Sequence, residues 1–200
     1  MDAIAVFDHN DPESVVQVLS VHEPTGLYVL PAPLEPTFAD QITGEQVGQV
    51  ISLLQGFAGH IVIDLPAIFN EVVLSAIEAS SDIVLVAGLD IPNIKNLKIG
   101  LSTLSLLNVP NEKLHLVLNR ADSKVKLDIS EVERTIGLEV AAHVPSDVVV
   151  PISVNKGSPV VLSAHKSAVA RSFEQLATRF LDGVAVAEPA GSPGLRKFFG

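Results

Sequence analysis

Short apolar, β-branched runs alternate along this chain with longer segments in which apolar residues recur at three- and four-residue spacing. The first pattern predicts buried strands, and the second predicts amphipathic helices that cover them. The strand-like runs are Leu27–Leu30, Ile61–Ile63, Ile83–Ala87, Leu114–Leu118 and Ala141–Val144, with a further one at Ala3–Phe7. Val47, Val50, Ile51 and Leu54 form one helical stripe; Ile94, Leu97, Leu101 and Leu104 form another. Near the end, Val169, Phe173, Leu176 and Phe180 mark a C-terminal helix that packs back on the sheet. Helix starts are marked by Thr43, with Gln46 at the capping-box position, and by Ser130, which precedes Glu131 and Glu133. Alternation of this kind predicts an α/β fold, three-layered and doubly wound, with a mostly parallel sheet and helices on both faces.

Two hundred residues with 48% hydrophobic and 18% charged content are enough for a substantial core. One domain is expected over residues 1–182, followed by a flexible tail rich in Ala, Pro, Gly and Ser over Gly183–Gly200. Thirteen Lys and Arg against 23 Asp and Glu give a net charge of −10 with no basic run, which disfavours a nucleic-acid-binding surface. The chain has no cysteine, which excludes a disulfide framework and cysteine zinc sites and fits a cytoplasmic location. Apolar runs such as Ile83–Leu89 are too short to span a bilayer, and no basic segment precedes an apolar stretch at the N-terminus. The chain therefore reads as soluble and unexported. Leu195, Phe198 and Phe199 beside Arg196 and Lys197 could make at most a weak peripheral membrane contact, but seven residues are too few for a stable helix and a disordered tail is the preferred reading.

Ligands of an open parallel sheet sit beyond the carboxyl ends of its strands, so polar residues there are the candidates for chemistry. Asp64 ends the run Ile61–Ile63 before Leu65-Pro66, where its carboxylate suits a magnesium-bound water or, equally, a helix N-cap or loop carboxylate. Asp90 and Asn93 after Ile83–Leu89 read as capping residues. Asn119 and Arg120 end the fourth run: an amide can pair with a base edge and a guanidinium can stack on it, against the alternative of a turn Asn and a solvated Arg. Pro145, Ser146 and Asp147 follow the last run, where exposed backbone suits an adenine contact or an ordinary turn. No G-x-x-x-x-G-K-[ST] loop is present, so the backbone cradle and lysine that hold nucleotide phosphates are missing. The six histidines never fall at i, i+4 on one helix, which leaves a metal site without support, and no G-x-S-x-G elbow occurs. Gly44 and Gly48 form the one G-x-x-x-G, in a polar helical segment, and suggest no role.

Taken in order, several segments resemble the deviant-Walker-A ATPases of the MinD/ParA group, most nearly the TadZ/CpaE branch of tight-adherence (Flp) pilus assembly. They are Thr25–Pro33, Ile42–Val47, Ile61–Pro66, Ser81–Val86, Leu114–Arg120, Val144–Asp147 and Val154–Pro159. The resemblance implies a P-loop NTPase fold using ATP and Mg2+. It makes Asp64 the Walker-B-type catalytic and metal-side aspartate, Asn119 with Arg120 the pair beside the adenine, and Pro145–Asp147 the loop closing over the base. Asn155-Lys156-Gly157 corresponds to a structural turn before the final helix. The family begins with a phosphate-loop strand and a switch-aspartate strand that have no counterpart before Met1. The chain is therefore expected to be part of a longer ATPase, a natural pseudo-ATPase being the alternative, and to be inactive in hydrolysis alone. The role implied is positioning of pilus secretion machinery at the inner membrane, as a homodimer. The alternatives are a partitioning or septum-site switch and a non-catalytic scaffold.

Overall fold

The computed structural model describes residues 18–33, 35–121 and 127–181, and the expected run Ala3–Phe7 and tail Gly183–Gly200 lie outside them. The chain divides into two units, Met1–Ser81 and Asp82–Gly200.

In the first unit, β1 (Ser20–His22) and β2 (Leu27–Val29) pair antiparallel. Leu27–Leu30 thus becomes a hairpin arm instead of a parallel strand. The turn is set locally: the His22 carbonyl accepts from Thr25 and Gly26, and Gly26 takes a φ of 70°, a region open to glycine. A short helix, α1 (Pro36–Ala39), precedes α2 (Gly44–Gln55). The expected capping box forms in full: Gln46 donates its N–H to Thr43 Oγ1 at 3.2 Å, and Thr43 donates its own to Gln46 Oε1 at 3.0 Å. Ile51 of the predicted stripe is buried, with Val47, Val50 and Leu54 half-buried beside it.

Helix α2 packs against α3 (Glu71–Ala79), a helix the sequence reading did not anticipate although Asn70 caps it by accepting from Val73 N–H at 2.9 Å. Here Gly44 and Gly48 acquire the role that sequence did not suggest. A Cβ on Gly44 would fall 2.8 Å from both Glu71 Cγ and the Glu71 carbonyl oxygen, and one on Gly48 would lie 3.1 Å from Ser75 Oγ. Ser75 Oγ donates to the Gly44 carbonyl at 2.7 Å, and Gly44 N–H donates to Glu71 Oε1 at 3.2 Å. The glycines thus permit a hydrogen-bonded close approach of two helices.

Ile61–Ile63 has no regular secondary structure and joins no ladder among the described residues, and Val62 is 95% exposed. Apolar alternation predicted a strand there; strand pairing needs a neighbour, and the described part of this unit supplies none.

The second unit is a three-stranded parallel sheet in the order β3 (Ile83–Gly88), β4 (Leu114–Asn119), β5 (Val140–Val144). Leu116 and Leu118 of central β4 are fully buried. With Ala87, Leu89 and Val132 they form a core against which pack Ile94 and Leu97 of α4 (Ile91–Leu106) and Ile129 and Ile136 of α5 (Ile129–Ile136). The cap of α5 is Asp128, whose Oδ1 accepts from Ser130 N–H at 2.9 Å, two residues before the serine that sequence marked. On the opposite face Val117 and Val144 meet Val169 and Leu176 of α8 (Ala168–Leu181). Phe173 of the same stripe stays 40% exposed, so that helix face is only partly covered. Between β5 and α8 lie α6 (Val149–Asn155) and α7 (Val160–Ser163), linked through Gly157 at φ 63°. Buried Ser153 donates to the Ser158 carbonyl across the Asn155-Lys156-Gly157 turn, which precedes α7 and not the final helix. A parallel sheet covered by helices on both faces is the predicted fold class.

Candidate functional site

Parallel register sets the geometry of the ligand end. Gly88 lies opposite Asn119 and Asn119 opposite Val144, so the three strands of the second unit finish level. Beyond β3, Asp90 caps α4 by accepting from Asn93 N–H at 2.9 Å, and its other oxygen accepts from Asn93 Nδ2 at 2.7 Å. This is the capping role read from sequence.

At the end of β4, Asn119 and Arg120 are both exposed. Asn119 Oδ1 accepts the Arg120 N–H at 3.0 Å, and Arg120 sits at φ 54°, a left-handed conformation that an arginine rarely adopts. The turn is tied down by the next residue, whose Ala121 N–H donates to the Val144 carbonyl at 3.1 Å. That bond joins the end of β4 to the end of β5, immediately before Pro145, Ser146 and Asp147. The structure therefore brings together five of the six sequence candidates along two adjacent strand ends.

Their roles divide. Asp147 Oδ1 accepts Val149 N–H at 2.9 Å and its carbonyl accepts Val150 N–H at 3.2 Å, so this carboxylate is occupied in starting α6. Asn119 keeps its amide NH2, and Arg120 keeps an exposed planar cation. An amide donor beside a guanidinium in a strained, anchored turn can pair with and stack on a flat heteroaromatic ring. The link from Ala121 to Val144 left no trace in sequence, because it depends on which strands are neighbours.

Asp64 belongs to the other unit. It follows the irregular stretch Ile61–Ile63, is exposed, and accepts no hydrogen bond among the described residues. It is not the cap of the next helix, a role held by Asn70. Among the described residues no group of three or more His, Asp or Glu side chains is arranged to hold a metal ion. His115, half-buried at the far end of β4, instead bonds Asp82 Oδ1 through Nε2 at 2.8 Å and receives the edge of Phe180 at 5.1 Å between ring centres.

A parallel sheet with helices on both faces and polar turns at its carboxyl end is a doubly wound α/β fold, and with it the chain matches the fold of MinD/ParA-type P-loop NTPases. It superposes on the ParA family ATPase from Chlorobium tepidum TLS with a TM-score of 0.79 at 21% identity, over 90% of this chain and 74% of that one. Superposition on the MinD protein complexed with Mg-ADP from Pyrococcus horikoshii OT3 gives 0.72 at 21% identity, over 92% and 78%. In sequence the chain is 25% identical over 149 residues to a putative septum site-determining protein MinD of Guillardia theta, covering 72% of this chain and 54% of that protein. It is 26% identical over 156 residues to the chloroplastic minD homolog of Arabidopsis thaliana, covering 73% and 47%. The chain thus spans about half the length of these curated relatives. No protein-family model matches it.

Proposed function

We propose that this chain contributes the base-recognition side of a MinD/ParA-like positioning switch, in which Arg120 stacks on an adenine, Asn119 pairs with its edge and the backbone of Pro145–Asp147 closes against it. The observation that carries this reading is the anchored Asn119–Arg120 turn, held in a left-handed conformation and hydrogen-bonded through Ala121 to the end of β5. These groups fit a purine base. They do not fit a triphosphate: the 200 residues contain no G-K-[ST] loop, and Asp64 is a single exposed carboxylate. ATP and Mg2+ are the ligands of the proposed switch, this chain supplies its base side, and no hydrolysis by these residues alone is expected.

For the biological role, the ordered segments from Thr25 to Pro159 favour a TadZ/CpaE-type factor that positions pilus secretion machinery at the cytoplasmic face of the inner membrane. The septum-site reading is favoured by the MinD proteins among the relatives. Among the described residues no helix is long and apolar enough to cross a membrane, which agrees with peripheral placement in either case. Titration of the purified chain with a fluorescent adenine nucleotide is expected to give weak binding, reduced about tenfold, or ~1.4 kcal/mol, by Arg120→Ala. ATP turnover should stay at background. Binding unaffected by Arg120→Ala would remove the site, and turnover abolished by Asp64→Ala would overturn the inactive assignment. Genes for a prepilin peptidase and a secretion ATPase beside the coding sequence separate the pilus role from the septum role.

A further inference from the structure

Ser153 is the one buried polar side chain among the described residues, and the base site makes no direct use of it. It is also the one fully buried side chain of α6, three positions after Val150, which packs against Val117, Val144 and Val169. That spacing puts both on the inward face of the helix. An apolar residue would fill such a position with no polar group to satisfy. A hydroxyl there needs partners, and it holds in place whatever supplies them.

Those partners lie on the chain that follows. The Ser153 hydroxyl donates to the Ser158 carbonyl, and the Ser158 N–H donates back to the Ser153 carbonyl at 3.1 Å. Ser163 Oγ of α7 lies 3.1 Å from Ser153 Oγ. Gly157, at φ 63°, lets the chain fold back for this exchange, and Val160 of α7 joins the same core as Val150. With seven and four residues, α6 and α7 are too short to hold an orientation by themselves. One packed valine on each and the serine clamp between them fix the pair.

We infer that Ser153 is a positioning residue for adenine binding: it fixes α6, and α6 fixes the Pro145–Asp147 backbone. The inference rests on the adenine reading of Asn119 and Arg120. The Pro145–Asp147 segment is tied at both ends. Its start is set by the bond from Ala121 N–H to the Val144 carbonyl, and its end by Asp147, whose Oδ1 accepts from Val149 and whose carbonyl accepts from Val150. The second tie is only as firm as α6 itself. Ser153 lies six positions beyond Asp147, about 9 Å along a helix, so it acts through the helix and not by touching the base. Without its hydroxyl, the Ser158 carbonyl keeps only the Ser163 hydroxyl, at 3.4 Å, and the α6–α7 pair loosens. The backbone that closes on the base must then be ordered at the moment of binding, which weakens affinity.

Titration of the purified chain with a fluorescent adenine nucleotide is expected to show affinity falling about fivefold in Ser153→Ala. Val132→Ala, at a buried position of α5 in the core on the other face of the sheet, should lower thermal stability. It should nevertheless leave affinity within about twofold, because distant sites act independently. This comparison separates lost positioning from lost stability. In hydrogen exchange without nucleotide, the Val149 and Val150 amides should exchange faster in Ser153→Ala while those of β4 keep their rates. Should Ser153→Ala not fold, Ser153→Cys, of similar size with a weaker donor, carries the same comparison. Affinity unchanged by Ser153→Ala but weakened by Arg120→Ala would overturn the inference and leave the adenine reading standing. Binding insensitive to Arg120→Ala would overturn both. Equal losses of affinity in Ser153→Ala and Val132→Ala would also overturn the inference, since the serine would then act only as part of the core.

Discussion

At the scale of single residues, the site depends on one uncomfortable backbone. Arg120 holds φ 54°, whereas Asn108, the other non-glycine residue with positive φ among those described, is of a type that tolerates this region. Such strain costs on the order of 1–3 kcal/mol and persists when neighbouring contacts over-determine it; here the Ala121 to Val144 hydrogen bond and the Asn119 side chain do so. Arg120→Gly relieves the strain at the expense of a freer unfolded chain, and the net effect expected in urea unfolding is a gain of about 1 kcal/mol. The same variant loses the stacking guanidinium. Stability and nucleotide affinity should therefore move in opposite directions, and a variant that loses both would mean the arginine supports the turn itself. Asp147 shows the contrary case: its carboxylate is engaged in starting α6, so its place beside a base is one of backbone and not of side-chain chemistry.

At the scale of elements, the α2–α3 pair shows how little room a helix crossing leaves. A methyl on Gly44 meets Glu71 backbone at 2.8 Å, which side-chain rotation does not relieve, whereas one on Gly48 meets only the Ser75 hydroxyl at 3.1 Å. Gly44→Ala is expected to destabilise the first unit by roughly 1–3 kcal/mol through overpacking. Gly48→Ala should be near neutral, since a better helix propensity offsets a small rearrangement. Thermal melts of the two variants distinguish them, and equal effects would show that the crossing is looser than its hydrogen bonds imply. In the second unit the stripe Ile94, Leu97, Leu101 and Leu104 is the inward face of α4, with Leu104 at 1% exposure, as its spacing predicts.

For the whole molecule, charge is the governing quantity. A net charge of −10 spread without a basic run repels both nucleic acid and other copies of the chain. No shift of duplex DNA in a gel is expected at about physiological ionic strength, where the screening length is ~8 Å.

Sequence by itself determined the properties that are local along the chain. The buried run of β4, the stripes of α2 and α4, the Thr43–Gln46 box and the polar residues at the ends of β4 and β5 are legible because periodicity and capping involve residues a few positions apart. Charge and the missing phosphate loop were legible for the same reason. Only the tertiary structure decided partnership: that Leu27–Val29 turns back on Ser20–His22, that Ile61–Ile63 has no neighbour among the described residues, and that Gly44 meets Glu71. It alone decided, too, that Ala121 reaches Val144 to set Arg120 beside Pro145. A strand carries half of a ladder and a glycine half of a contact, and the other half is supplied by whatever segment the folded chain brings alongside.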